Sequence, residues 1–368
     1  MKTDQILTIF KYLHENPEIS WEESNTTNYI KEILTSLGCR VKTFNNHTGV
    51  IGEIGEGKPV VAVRADMDAL WQEVDGTYRA NHSCGHDAHM SMVVGVVHTL
   101  TSMDSLPQGT IRFIFQPAEE KGTGALALVE EGVLDDVDYL YGVHLRPFQE
   151  MGIGKASPTI VHGSAKFIEG KIKGDDLHGA RPHLGANAIE VGATLVHMLK
   201  GIHLDPMIPY SVKMTSFQAG GKSQNIIPGN ATFSIDLRAQ TNEAMDQLTE
   251  RVYEQVDALK RLYKVEMELQ TKAYIAAAVV NEEAQQVMEL AIKEVLGQEN
   301  VEPPLVTTGG DDFHFYTIKR PHLKATMLGL GCDLNPGLHH PKMEFNHDAL
   351  ALGSEILTKA VLLTLEEK

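Results

Sequence analysis

Residues 60–68 have the sequence Val-Val-Ala-Val-Arg-Ala-Asp-Met-Asp, a mainly apolar run that ends in two acidic residues. Two later segments repeat this arrangement. Residues 110–115 are followed by Gln-Pro-Ala-Glu-Glu, and residues 138–143 are followed by His144. In an open parallel α/β sheet, ligands bind beyond the carboxyl ends of the strands. The sequence therefore predicts that one sheet edge collects acidic and imidazole side chains, as a metal site requires.

Strand and helix patterns alternate through residues 1–163, which predicts βαβ units and an α/β fold with a mostly parallel, mixed sheet. Near residue 164 the pattern changes to strands with one solvated face. Residues 164–274 follow the order β-α-β-β-α-β, which is typical of a ferredoxin-like α+β domain. The α/β pattern then resumes in residues 275–368. We therefore expect a discontinuous first domain, 1–163 and 275–368, with a second domain inserted at 164–274.

The helix predicted at Ala88–Leu100 is apolar nearly all round, so we expect it to be buried. Asp87 stands immediately before it, where an N-cap residue is expected.

Composition excludes several classes of protein. The 368 residues carry a net charge of −17, which argues against nucleic acid or an anionic membrane as partner. There is no apolar run of 18 residues, and Met1–Gln5 lacks the apolar core of a signal peptide. The three cysteines are too few and too scattered for a disulfide framework, so we expect reduced thiols and a cytoplasmic protein.

Cys84-Gly85-His86 is the first candidate for chemistry. A thiolate and an imidazole separated by one glycine can reach one cluster, because glycine permits a sharp bend, and this pair suits Zn²⁺. The alternative is a buried free cysteine beside a surface histidine. The neighbouring Asp87 and His89 favour the metal site.

Glu119-Glu120 is the second candidate. Adjacent side chains point in different directions, so one carboxylate can bind metal while the other serves as a general base. The alternative is a solvated helix N-terminus, where acidic residues are favoured.

The remaining candidates are weaker by themselves. His144 could be structural, and either His339 or His340 could be a distal ligand at the same sheet edge. Asp68 could orient a ligating histidine, whereas Asp66 could pair with Arg64 or cap a turn.

The inserted domain carries residues 178–185 (His-Gly-Ala-Arg-Pro-His-Leu-Gly), a Gly-rich loop that includes Asn225, and Asp236-Leu237-Arg238. Taken alone, such Gly- and Pro-containing loops are ordinary turns.

Taken together, these motifs resemble the di-metal amidohydrolases of metallopeptidase family M20, in the branch of hippurate hydrolases, N-acyl-amino-acid deacetylases and auxin-conjugate hydrolases. The similarity runs nearly end to end. It is carried by the segments at residues 64–70, 82–89, 116–120, 142–144, 178–185, 225–228, 310–313 and 338–341. Trp71 stands where relatives often have proline, and Gly310-Asp311-Asp312-Phe313 replaces the commoner Ser-Glu-Asp-Phe.

The resemblance implies a role for each candidate residue. The implied metal ligands are Cys84, His86, Glu120, His144 and His339, and spacing to Pro341 favours His339 over His340. Glu119 corresponds to the general base, and Asp68 to an acid that orients a ligand. His178 corresponds to a histidine of the inserted domain that reaches the active site of the partner subunit. Asn225 and Arg238 fall near positions that contact substrate.

From the resemblance we expect two divalent ions per subunit, Zn²⁺ or Mn²⁺, with Co²⁺ or Ni²⁺ as further possibilities. The inserted domain would act as a lid and would form a homodimer. The expected reaction is hydrolysis of an N-acyl amino acid or a similar small amide. An aminopeptidase or dipeptidase on the same scaffold is the alternative, followed by a catalytically inactive ligand-binding relative.

Overall fold

The computed structural model describes residues 3–366, and the chain divides into two compact units. The first unit runs up to Val161 and continues through Val279–Val306 and from Asp311 onward. The second unit contains His162–Ala278 and Thr307–Gly310, compared with the predicted insertion at 164–274. Thr307–Gly310 belongs with the second unit because the backbone N–H of Gly163 hydrogen-bonds to the carbonyls of Thr307 and Gly309.

The first unit contains a set of helices and strands in α/β order. Its helices are α1 (Thr3–Glu15), α2 (Ser24–Ser36), α3 (His86–Thr101), α4 (Gly124–Glu130), α7 (Glu282–Leu296), α8 (His314–Lys319) and α9 (Ala349–Glu366). Its strands are β1 (Arg40–Thr43), β2 (Val50–Glu56), β3 (Val60–Asp66), β4 (Leu70–Val74), β5 (Thr77–Asn81), β6 (Gly109–Gln116), β7 (Tyr139–Pro147), β8 (Ala156–Ser157), β9 (Ile160–His162, whose last residue opens the second unit), β16 (Leu305–Thr307, whose last residue also lies in the second unit) and β17 (Lys324–Leu334).

The main sheet is mixed, as the sequence predicted. Its strand order is β1-β2-β6-β3-β7-β17-β8. The four neighbouring strands β6, β3, β7 and β17 run parallel, and the outer pairings are antiparallel. All residues of β3 are buried, as expected for a parallel strand covered on both faces. Helices α1, α3, α7 and α9 contact one another around the largest hydrophobic core.

Helix α3 is buried nearly all round, which confirms the prediction, but the predicted cap was wrong. The helix begins at His86, and its N-cap is Gly85 in the left-handed conformation at φ +89°. Asp87 therefore lies inside the first turn. Its buried carboxylate contacts Nδ1 of His14 at 2.7 Å. The glycine allows the chain to turn directly from Cys84 into the helix.

His144 was expected at the end of its strand, and this prediction was wrong by three residues. Strand β7 continues to Pro147, because Leu145 and Arg146 still pair with Leu330 and Gly331 of β17. His144 thus lies inside the paired part of the strand, opposite Gly329 of β17.

The hairpin formed by β4 and β5 was not predicted. It joins Asp68 to Cys84 in sequence and pairs Leu70 with Asn81. Its strands mix polar and apolar residues without the regular alternation that signals a half-buried strand.

The second unit contains β10 (Ser164–Lys173), β11 (Leu177–His178), α5 (Ala188–Lys200), β12 (Tyr210–Ala219), β13 (Ile226–Ile227), β14 (Ala231–Ala239), α6 (Asn242–Tyr263) and β15 (Glu266–Ile275). The antiparallel sheet has the order β12-β14-β10-β15. This is the ferredoxin-like arrangement of the predicted β-α-β-β-α-β unit, and α5 and α6 contribute to its hydrophobic core.

Within the described residues, no helix is both long enough and apolar enough to cross a membrane.

Candidate metal centre

The candidate ligands come from separate elements at one edge of the main sheet. Strands β3 and β6 are parallel neighbours that end at Asp66 and Gln116, and Asp66 pairs with Gln116 in register. A short 3₁₀ turn at Glu119–Lys121 follows β6. Parallel pairing thus delivers the segments after both strands to the same place, as the sequence predicted.

Cys84 is the centre of the cluster. Its Sγ lies 3.6 Å from Nε2 of His144 and 3.3 Å from Nε2 of His339. Cys84 belongs to two ligand sets, one with His86 and His144 and the other with Glu120 and His339. In each set the ligand atoms lie within 4.8 Å of one another. The arrangement fits two cations that share one thiolate.

Glu120 links the two sets. Its Oε1 is 3.9 Å from Nε2 of His86 and 3.5 Å from Nε2 of His339. Among the described residues, the buried Nε2 of His86 and Oε1 of Glu120 have no hydrogen-bond partner. Buried polar atoms that lack a partner are costly. Thiolate, imidazole and carboxylate together are the donors that Zn²⁺ and neighbouring divalent ions prefer. The site therefore fits the expected metal ions.

The electrostatics of these side chains agree with a cation site. Burial, followed by the charge of Glu120, raises the pKa of the Cys84 thiol well above its ordinary value. Burial and the neighbouring His89 lower the pKa of His144, so its imidazole stays neutral. A divalent cation reverses the first effect, because a coordinating thiol loses its proton. Metal binding at Cys84 should therefore release a proton.

Asp68 contacts the segments that carry the candidate ligands His86 and Glu120. Its two carboxylate oxygens accept the backbone N–H groups of Glu119 at 3.1 Å and Glu120 at 3.0 Å. Oδ1 also lies 3.3 Å from Nδ1 of His86, and Oδ2 accepts the hydroxyl of Ser20 at 2.6 Å. One buried carboxylate thus hydrogen-bonds to the turn that carries the two glutamates and lies within ion-pair distance of the His86 ring.

Glu119 has surroundings different from those of Glu120. Its Oε1 accepts a hydrogen bond from the backbone N–H of Asp312 at 3.3 Å. Its carboxylate also lies in one cluster with the carboxylates of Asp311 and Asp312. Burial and then the charges of Asp311, Glu120 and Asp312 raise the pKa of Glu119 well above its usual range. A carboxyl group with a raised pKa is suited to accept and release a proton. Glu119 also approaches His86, with Oε2 at 3.9 Å from Nε2.

Of the two roles considered for Asp66, an ion pair with Arg64 or a turn cap, the structure shows the ion pair. It pairs with the fully buried Arg64 at 2.5 Å, and it accepts a hydrogen bond from Nδ1 of His89 at 2.7 Å. The other ring nitrogen of His89 accepts the backbone N–H of Leu145 at 3.1 Å. His89 is therefore a structural bridge between β3 and β7.

Sequence reasoning missed the second half of this buried network. Arg64 also reaches Asp312 at 3.2 Å and Gln116 at 2.8 Å. The available signal was an arginine inside an otherwise apolar strand, since a buried charge requires partners.

The adjacent residues His339 and His340 have different surroundings. His339 lies beside Cys84 and Glu120, and its backbone adopts a left-handed conformation at φ +64°. His340 is exposed, and its Nδ1 accepts the backbone N–H of Lys342 at 3.1 Å.

The second unit brings two of its three candidates together. β11 pairs His178 with Ile226 of β13, and the carbonyl of Asn225 accepts the N–H of Gly179 at 2.7 Å. Nδ1 of His178 accepts the N–H of Ala180 at 3.1 Å, so a neutral ring carries its proton on Nε2. His178 is thus an exposed hydrogen-bond donor.

Arg238 lies in β14 of the four-stranded sheet and not in the two-stranded sheet of β11 and β13. It pairs with Ala165, while Ile172, near the His178 end, pairs with Ala231. The seven-residue step from Ala165 to Ile172 corresponds to about 23 Å of strand. Arg238 is held by Asp236 at 2.8 Å and lies over the ring of Phe167.

Comparison with known proteins identifies relatives over the whole length of the chain. Residues 62–363 match the model of peptidase family M20/M25/M40. An IAA-amino acid hydrolase ILR1-like protein of Arabidopsis thaliana is 30% identical, covering 99% of this chain and 86% of that protein. An N-acetyl-L-cysteine deacetylase of Bacillus subtilis is 29% identical, covering 98% and 88%. The crystal structure of a dinuclear metal-binding peptidase of family M20 from Bacillus subtilis superposes with a TM-score of 0.84, 26% identity, and coverage of 99% and 98%.

Proposed function

Because the chain belongs to peptidase family M20/M25/M40, we propose that it hydrolyses N-acyl amino acids. This family contains metal-dependent hydrolases of amide or peptide bonds. The observation that carries the proposal is the cluster around Cys84. Five side chains from distant parts of the chain supply a thiolate, a carboxylate and three imidazoles, with Glu119 beside them. The named activities of the two N-acyl amino acid hydrolases support this substrate class.

We assign the ligands to two ions that share Cys84. His86 and His144 complete one set, and Glu120 and His339 complete the other. Zn²⁺ or Mn²⁺ is the proposed metal, with Co²⁺ or Ni²⁺ as substitutes, since thiolate and imidazole suit Zn²⁺ and its neighbours and carboxylate suits Mn²⁺. When bound, such ions acidify a water and polarise a carbonyl oxygen.

Glu119 is the proposed general base. It would accept the proton of the attacking water and deliver that proton to the nitrogen of the leaving amino acid. Its buried position, with a carboxylate oxygen hydrogen-bonded to the N–H of Asp312, supports this role. Asp68 would hold the Glu119 turn and the His86 ring in place throughout the reaction.

The second unit is the proposed lid and dimerisation domain. Nε2–H of His178 would donate to the carbonyl oxygen of the substrate as negative charge develops there. Asn225 and Arg238 would contact other polar groups of the substrate. His178 and Arg238 lie on different sheets of the second unit. His178, together with the neighbouring Asn225, would serve the active site of the partner subunit in a homodimer.

A peptidase activity is the second candidate, and it is favoured by the relation to the dinuclear peptidase. An aminopeptidase or dipeptidase must also accommodate a free α-amino group. A catalytically inactive relative is the third possibility, and the presence of Glu119 beside the full ligand set argues against it.

A substrate panel tests the proposal. Metal-free protein is reconstituted separately with Zn²⁺, Mn²⁺, Co²⁺ and Ni²⁺ and assayed on acetyl- and benzoyl-amino acids and on free dipeptides with the same C-terminal residues. We expect turnover of the acylated compounds, absent from a Glu119→Gln control. Preference for the free dipeptides would establish the peptidase instead. No turnover in any metal form would favour the inactive relative.

A further inference from the structure

His339 differs from the other histidine ligands in how it is held. His86 and His144 lie in a helix and a strand and are buried, whereas the His339 side chain is 55% exposed. His339 follows β17 in a segment outside the helices and strands. Its φ of +64° is one that non-glycine residues seldom adopt. Side-chain packing therefore does little to fix this ligand.

Backbone hydrogen bonds hold it instead. The N–H of His339 donates to the carbonyl of Ser83 at 2.6 Å. Nε2 of Gln72 donates to the carbonyl of His339 at 3.1 Å. Nδ2 of Asn81 donates both to Oε1 of Gln72 at 2.7 Å and to the carbonyl of Pro341 at 3.1 Å. The two amide side chains therefore grip the loop on both sides of His340.

Gln72 and Asn81 both belong to the β4–β5 hairpin. This hairpin begins two residues after Asp68, and Asn81 precedes Cys84 by three residues. The hairpin therefore connects Asp68 to Cys84 along the chain and also holds the loop of His339, which lies more than 250 residues later. The hydrogen bonds of the two amides do not involve Cys84, Glu120 or the ring of His339. Their influence on the metal must act through the backbone of the ligand loop.

We propose that Gln72 and Asn81 are positioning residues for His339 and set the affinity of the second metal site, that of Cys84, Glu120 and His339. This inference rests on the proposed ligand set. The two residues form an amide clamp. The clamp holds His339 in its left-handed conformation before a metal arrives, so the second ion binds to a preformed ligand. The site of Cys84, His86 and His144 does not depend on the clamp.

The test measures metal binding directly. Metal-free full-length protein is titrated with Zn²⁺ alone in a chelator buffer, and His339→Ala identifies the affinity that belongs to the second site. Gln72→Met and Asn81→Leu have similar shapes and lack the N–H donors. Each should weaken the second affinity about 10-fold or more, as loss of an outer partner of a ligand typically does. The first affinity should stay at the wild-type value.

Tyr78→Phe is the matched control, because Tyr78 lies on the same hairpin and is exposed. It should change neither affinity. Gln72→Glu and Asn81→Asp keep the side-chain shape with the same loss of a donor, and they replace any variant that does not fold.

A second measurement separates positioning from general damage. With excess Zn²⁺, the clamp variants should recover wild-type kcat with an unchanged KM, because His339 itself is intact. Wild-type affinity for both ions in the clamp variants would overturn the inference, as would equal weakening of both. If His339→Ala also keeps both affinities, the proposed ligand set fails as well. If only the clamp variants keep them, the ligand set stands and the clamp alone is wrong.

Discussion

The carboxylate of Asp68 accepts the backbone N–H of Glu119 at 3.1 Å, and its other oxygen accepts the next N–H along the chain, that of Glu120. A residue just beyond the end of one strand thus fixes the turn that follows the neighbouring strand. The backbone of the two adjacent glutamates is thereby held in place. Their different surroundings support different roles, base for Glu119 and ligand for Glu120.

The first prediction separates these two roles. Glu119→Gln keeps the shape of the side chain but removes the proton acceptor. General acid–base catalysis contributes about 10²–10⁴-fold, so kcat should fall at least that much. Metal content, measured by elemental analysis, should stay near the wild-type value. Glu120→Gln should lose metal as well as activity. The reverse outcome for metal content would exchange the two assignments.

The second prediction concerns the adjacent histidines. His339→Ala should lose one metal ion and nearly all activity, because its Nε2 faces Cys84 and Glu120. His340→Ala should keep most of both, since the His340 ring accepts only a local backbone N–H in the structure. Metal stoichiometry and turnover of the two variants are compared side by side. Metal deficiency in His340→Ala would show that the wrong member of the pair was chosen.

The third prediction concerns Asp68 as an orienting residue. Asp68→Asn replaces one of its acceptor oxygens with an N–H group that faces backbone N–H donors. We expect metal affinity to fall about 10–100-fold, the usual effect of losing an outer partner. A Zn²⁺ titration against a chelator measures the change. Ser20→Ala removes a single hydrogen bond to Asp68 and should have a smaller effect in the same direction. Unchanged affinity in Asp68→Asn would contradict the orienting role.

The fourth prediction tests completion of the site by the partner subunit. His178→Ala and Glu119→Gln should each be nearly inactive alone. After subunit exchange, roughly half of the dimers are mixed, and each mixed dimer contains one site with both residues intact, so activity should approach about a quarter of wild type. Mass measurement confirms the exchange. If mixed dimers form and activity stays at the level of the parents, His178 does not act across the interface.

The fifth prediction concerns pH and stability. A hydrogen bond between His14 and Asp87 raises the pKa of His14 above its ordinary value of 6.5. A raised pKa in the folded state means that the stabilisation is fully present below about pH 6.5 and is lost as the pH rises through the folded pKa. The free-energy difference of unfolding between metal-free wild type and His14→Ala should therefore be largest in acid and shrink above neutrality.

The size of this pH-dependent part should stay below about 1 kcal/mol, because the His14 side chain is 47% exposed and solvent screens the pair. Denaturant unfolding at a series of pH values gives the difference. His322→Ala, a substitution at an exposed histidine, controls for the loss of one titratable group. A difference that grows with pH would rule out the ionic contact.

The sequence alone determined the parts of this protein that depend on local pattern. The apolar runs that end in Asp66 and Gln116 specified neighbouring parallel strands, and their polar continuations specified the edge where the site forms. The alternating pattern from residue 164 specified the ferredoxin-like unit. Burial of a strand or helix face follows from the spacing of apolar residues, which is visible in the chain itself.

Tertiary structure decided which side chains meet. Cys84 and His339 are 255 residues apart and lie 3.3 Å from one another. Their approach depends on pairing between β7 and β17, on the left-handed backbone at His339, and on the amides of Gln72 and Asn81. None of these leaves a periodic signal in the sequence. The same holds for the end of β7, which long-range pairing extended past His144, because register between distant strands is set by the whole sheet and not by the residues of one strand.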